Sequence, residues 1–130
     1  MGAVAKGPAT VSAGLSVRPG RGPSGATPTP YAQLVLDAVA RIPRGGALSY
    51  GDVAEEVGRG SARTVGTALS RYGGDVPWQR VVQASGRPAE PFLQEALGLL
   101  RAEGCPLVGD PSTSQRVDLE AARRRVLQAG

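Results

Sequence analysis

The sequence predicts a mostly helical domain of winged helix-turn-helix type with a short strand or wing, preceded by a disordered tail. Three observations predict it. Residues 1–29 are a scatter of Gly, Pro, Ser, Thr and Ala with no apolar periodicity. Residues 30–130 hold short amphipathic stretches, most of them opened by a capping residue and closed by Gly or Pro. Two of these stretches are joined only through Gly58-Arg59-Gly60 and Ser61, the brief Gly-containing connection of a helix-turn-helix.

The tail carries Lys6, Arg18 and Arg21 and no acid. It lacks the uninterrupted apolar core of a signal peptide, and no later stretch approaches membrane-spanning length. Both features predict a soluble, cytoplasmic protein. Deleting residues 1–29 should leave the melting temperature nearly unchanged while flattening the salt dependence of nonspecific DNA binding. The first helix starts at Thr29-Pro30, Thr as N-cap and Pro at the first helical position. Tyr31, Leu34, Val35, Ala38, Val39 and Ile42 are its stripe, which Pro43 and Gly45-Gly46 end. Ser49 and Asp52 predict a capping box for a helix over 50–57. Ser61 can cap the next helix, in which Ala62, Val65, Ala68, Leu69 and Tyr72 form the apolar side. Arg63, Thr67, Ser70 and Arg71 share its other face, which is either solvated charge or a surface for a DNA groove. Gly73-Gly74 ends it.

Pro77 then turns the chain into Trp78-Gln79-Arg80-Val81-Val82, an apolar run of strand length. Gln83-Ala84-Ser85-Gly86 reads as a wing or a turn. Phe92, Leu93, Ala96, Leu97 and Leu100 form a further helix stripe ending at Gly104. Pro106-Leu107-Val108 and Gln115-Arg116-Val117 can pair as a hairpin. Asp118 can cap a last helix with Leu119, Ala122 and Val126 inward and Arg123-Arg124-Arg125 as a solvated face or a phosphate contact.

Charge and reactive side chains bound the function. Of the net charge of +4, three come from the tail, leaving the folded part about +1. Within it, arginines cluster over residues 41–87 and would attract phosphates. There is one cysteine, Cys105, and no histidine. That excludes an internal disulfide and a cysteine-based zinc site, and removes the commonest general base. Cys105, in the apolar stretch GCPLV, reads as buried and inert. No cofactor or metal is expected.

The motifs SYGDVA, ARTVG and PWQRVV together resemble the DNA-binding domain of the O6-alkylguanine-DNA alkyltransferases over roughly Tyr31 to Val126. The active-site strand of that family reads Pro-Cys-His-Arg-Val. Here Trp78 stands in the cysteine position and Gln79 in the histidine position, the mark of the alkyltransferase-like proteins. The resemblance implies non-catalytic binding of O6-alkylguanine in double-stranded DNA, with the nucleotide flipped out and the lesion flagged to nucleotide excision repair proteins. It implies that Tyr50 lies against DNA and helps rotate the nucleotide, and that Arg63 enters the base stack in its place. It further implies a pocket for the damaged base formed by Tyr50, Trp78, Gln79, Arg80 and Val81, with Arg80 bracing it from behind. Arg87 would face the base; Thr67, Ser70 and Arg71 are expected to contact DNA from the polar face of their helix. The expected protein is a monomer, nucleoid-associated if bacterial.

The bland readings are a half-buried Tyr50, a solvated Arg63 and a core Trp78. Gly66 is expected to let its helix approach a neighbouring backbone closely. The rival function is a winged-helix transcription regulator that reads undamaged sequence. Such a regulator needs base-edge readers on its helix, where this chain has mainly Ser and Thr beside Arg63 and Arg71.

Overall fold

The computed structural model describes residues 27–90 and 92–129. The predicted tail therefore lies, as far as residue 26, outside the described residues. Five helices and two small sheets follow: α1 Pro30–Ala40, β1 Leu48–Ser49, α2 Tyr50–Val57, α3 Ala62–Tyr72, β2 Val81–Val82, α4 Leu93–Ala102, β3 Leu107–Val108, β4 Arg116–Val117 and α5 Leu119–Ala129. Among the described residues no helix is long and apolar enough to cross a membrane.

The caps form as their residue types dictate. Thr29 accepts from the Ala32 amide at 3.1 Å, with Pro30 opening α1. Ser49 and Asp52 make both bonds of the capping box at 3.0 Å. Ser61 caps α3 with a second, unforeseen box, in which Thr64 Oγ1 accepts from the Ser61 amide at 2.9 Å. The α1 stripe departs from expectation at Leu34, which is 43% exposed, while Ala32 and Leu36 are buried in its stead. The helix turns its 32/35/36/39 face inward because α2 and α3 both pack there.

Tyr31 locks the turn between α2 and α3. Its hydroxyl lies 2.8 Å from Thr64 Oγ1 and 3.3 Å from the Arg59 carbonyl oxygen, and the Arg59 guanidinium sits over its ring. Gly60, at φ +83°, passes beneath that hydroxyl so closely that a β-carbon there would overlap it.

The largest departure lies at residues 78–82. Trp78–Arg80 forms a single turn of 3-10 helix, and only Val81-Val82 is strand. The Arg80 amide donates to the Pro77 carbonyl at 3.0 Å, which curls the chain before it extends. β2 then pairs parallel with β1, Leu48 opposite Val81 and Ser49 opposite Val82. Because successive strand residues face opposite ways, Val81 enters the core of α1, α2 and α3. Val82 enters a second core with Ala47, Leu100, Cys105, Val117 and Ala122. Two residues thus join the two halves.

Residues 83–87 form a turn, closed by the Gln83 amide on the Arg87 carbonyl at 3.0 Å, and the Val117 amide reaches Gly86 at 2.8 Å. The hairpin is present, β3 antiparallel to β4 with Leu107 opposite Val117. The arginines of α5 are exposed, as expected, and two of them also bond to the rest of the domain. Arg123 donates to Asp52 at 2.7 Å, tying α5 to α2, and Arg125 donates to the Gly104 carbonyl at 2.9 Å.

Candidate nucleic-acid interface

A cavity of about 480 Å³ opens beside α3. Tyr50 at the start of α2, Ala62, Gly66, Leu69 and Ser70 of α3, and Trp78, Gln79 and Val81 all border it. The remaining wall comes from Pro88, Ala89, Glu90, Phe92 and Ala96. Of the residues singled out in the sequence, Tyr50, Ser70, Trp78, Gln79 and Val81 therefore meet at one place. Arg63, Thr67, Arg71, Arg80 and Arg87 do not line it.

Each of these positions has a local cause. Tyr50 follows directly on the Ser49 cap, so the capping box fixes where its ring leaves the helix. Burial pushes its phenol above the ordinary tyrosine value, and it stays protonated at neutral pH. Gly66 faces that ring. A β-carbon there would come no nearer than 4.0 Å to Tyr50, so the glycine keeps the cavity wall low and does not serve close backbone packing. Trp78 is half-buried and meets Phe92 edge to face, ring centres 5.9 Å apart and planes at 64°.

Behind Trp78 lies a polar clamp. The Gln79 amide donates to Glu103 Oε2 at 2.7 Å, and Arg80 grips both oxygens of the same carboxylate at 3.0 Å. Arg80 also donates to the Ile42 carbonyl at 2.7 Å. Burial alone would raise the Glu103 carboxyl. The bonds from Arg80 and Gln79, with the charges of Arg80 and Arg44, outweigh it and hold the group below the usual carboxylate range. Arg80 does not line the cavity; it holds Glu103, to which the cavity residue Gln79 is also bonded.

The exposed face of α3 carries Arg63, Thr67, Ser70 and Arg71. The Thr67 hydroxyl donates to the Arg63 carbonyl at 3.1 Å, and the Arg71 guanidinium lies over the Tyr72 ring. Among the described residues no hydrogen bond or ion pair holds the exposed Arg63 side chain, which follows cavity residue Ala62 in the chain. Arg87 is half-buried on the turn after β2, and residues 88–90 reach the cavity in its stead. These three and Phe92 escaped sequence reasoning. They follow a turn whose direction no periodicity encodes, and the Pro-rich run offers no spacing to read.

Cys105 lies elsewhere, in the second core, 6% exposed. Burial pushes its thiol up to about 11, so it is neutral and a poor nucleophile at pH 7. Among the described residues no cluster of His, Cys, Asp and Glu could hold a metal ion.

The sequence model for the DNA-binding domain of 6-O-methylguanine DNA methyltransferase matches residues 30–105, more than half of the chain. The chain belongs to this family. A protein of Escherichia coli strain K12 named DNA base-flipping protein is 39% identical over 98 residues, covering 72% of this chain and 73% of that one. The crystal structure of S. pombe Atl1 in complex with damaged DNA containing O6-carboxymethylguanine is similar at a TM-score of 0.61 and 28% identity, covering 71% of this chain and 92% of that one. Mycobacterium tuberculosis OGT in complex with DNA is similar at 0.54 and 34% identity, over 58% of this chain and 50% of that one. Within the family the chain is alkyltransferase-like: its base-flipping and Atl1 relatives align along most of their length, the larger transferase over half.

The free guanidinium yields a first test. Arg63→Ala should weaken binding to a lesion duplex by roughly 1–3 kcal/mol, the scale of one lost stacking contact. Its melting temperature should match the parent's, because the side chain is exposed and unbonded. Titration of both proteins with a fluorescent duplex decides it, and unchanged affinity would return Arg63 to solvated charge.

Proposed function

We propose that the protein recognises O6-alkylguanine in double-stranded DNA by flipping the nucleotide, and that it catalyses nothing. The observation that carries this reading is the open cavity beside α3, bordered by an indole and containing no thiol. Arginines and helix termini hold phosphates of any duplex, whereas only an extruded base reaches Trp78. Flipping costs a few kcal/mol of stacking and pairing. The Arg63 guanidinium fills the gap and offsets part of that cost. Tyr50 guides the rotation, and Thr67, Ser70 and Arg71 meet the backbone.

Alkyl transfer needs a nucleophile and a base to activate it. Trp78 stands where the family's cysteine stands, and an indole N–H is a donor only. Gln79 occupies the position of the histidine, and its amide is engaged by Glu103. The adduct therefore stays on the DNA, and a second system must remove it. Nucleotide excision repair proteins fit that need, acting on a complex formed by a monomer in the compartment that holds the DNA.

Duplex carrying labelled O6-methylguanine should keep all its label after incubation with excess protein, and it should bind more tightly than the undamaged duplex. Stoichiometric label on Cys105 would refute the non-catalytic reading. Equal affinity for both duplexes would favour a reader of undamaged sequence.

A further inference from the structure

We propose that Glu90 makes the cavity selective by charge, admitting neutral O6-alkyl groups in preference to anionic ones. The proposal rests on the lesion-binding reading above and names the class of adduct it takes. Among the described residues, Glu90 is the one bordering the cavity that carries a formal charge. Its neighbours there are mostly apolar, Trp78, Phe92, Leu69 and Pro88 among them. Glu90 itself is exposed, and among the described residues it has no hydrogen-bond or ion-pair partner. None of Arg63, Arg71, Arg80 and Arg87 borders the cavity, and Arg80 is already held by Glu103. Among the described residues of the wall, no cation offsets the negative charge.

A carboxylate on an adduct would enter beside a second carboxylate, close to low-dielectric aromatic surface that screens poorly. Like charges a few ångströms apart at a partly exposed site oppose each other by a factor of roughly 3 to 10 in affinity, more at low salt. A neutral adduct of the same shape meets no such opposition and gains contact with Trp78 and Phe92.

The experiment uses four duplexes identical except at one base: guanine, O6-methylguanine, O6-carbamoylmethylguanine and O6-carboxymethylguanine. The last two differ in charge and hardly in size. The parent protein should bind the carbamoylmethyl duplex roughly 3- to 10-fold more tightly than the carboxymethyl one. Glu90→Gln should bring that ratio close to one, and Glu90→Lys should invert it. Because the ratio compares two duplexes, any general gain in DNA affinity from losing an acid cancels. A parent ratio near one, or a ratio unmoved in both variants, would overturn the proposal. So would a Glu90→Gln protein that no longer binds the methyl duplex, since Glu90 would then be part of the cavity's framework. Failure of the underlying reading looks different: the parent would not separate O6-methylguanine from guanine at all.

Discussion

Trp78→Ala should lower the ratio of damaged to undamaged DNA affinity by about tenfold while leaving nonspecific binding largely intact. A ring stacked on a base contributes about 1–3 kcal/mol, and that contribution exists only for a base that has left the duplex. The stability cost should stay below the roughly 3–5 kcal/mol of a fully buried ring, because Trp78 is half-buried and its main aromatic contact is Phe92 alone. The same residue reports on itself. As the chain's one tryptophan, it should change fluorescence on adding lesion DNA and change much less on adding an undamaged duplex. Trp78→Cys should not yield an efficient transferase, because the neighbouring Gln79 amide is bonded to Glu103 and cannot take a proton from the thiol. Melting temperature and affinity ratio, measured together, separate pocket from core. A loss of stability with an unchanged ratio would remove Trp78 from the site.

Arg80→Ala should destabilise the fold by about 3 kcal/mol, the lower end of what breaking a buried pair costs. The side chains of Arg80 and Glu103 are 13% and 7% exposed, so among the described residues the variant leaves a carboxylate with little water, one hydrogen-bond partner, Gln79, and the charge of Arg44. It also leaves the Ile42 carbonyl without its donor. For a domain of this size the melting temperature should fall by roughly 10–20 °C, read by calorimetry. The effect depends on pH in a definite direction. Glu103 has a lowered value in the fold, so its contribution is fully present above the ordinary carboxylate range and is lost as pH falls through the lowered value. Asp52 behaves alike: burial raises it, but Arg123 and Ser49 outweigh that and lower it. Parent and variant melting temperatures should therefore converge on acidification. A constant gap down to pH 2 would show that the clamp acts through packing and not through charge.

Much of this domain is written locally. Thr29-Pro30, Ser49 with Asp52, and Ser61 each place a short polar side chain where unpaired helix amides need an acceptor, so three helix starts were legible from spacing alone. The hairpin and the last helix were legible for similar reasons. Motif resemblance supplied the rest of the functional expectation, because ARTVG and PWQRVV carry chemistry that no periodicity expresses.

Three things waited on the tertiary structure. The run Trp78 to Val82 is short and apolar only at its two ends, and such a run satisfies a strand and a 3-10 turn equally well. The curl there goes with a carboxylate from the end of α4, where Gln79 and Arg80 both meet Glu103. Leu34 lies at helical spacing yet faces out, since α1 turns toward wherever α2 and α3 bury most apolar area. Arg87 and Glu90 stand three residues apart after a turn, and the closure of that turn on Gly86 and Val117 brings Glu90, not Arg87, to the cavity wall. The sequence by itself determined the helices, most of their capping residues and the family. The tertiary structure alone decided which charge borders the cavity, because a turn's direction depends on long-range contacts that neighbouring residues do not encode.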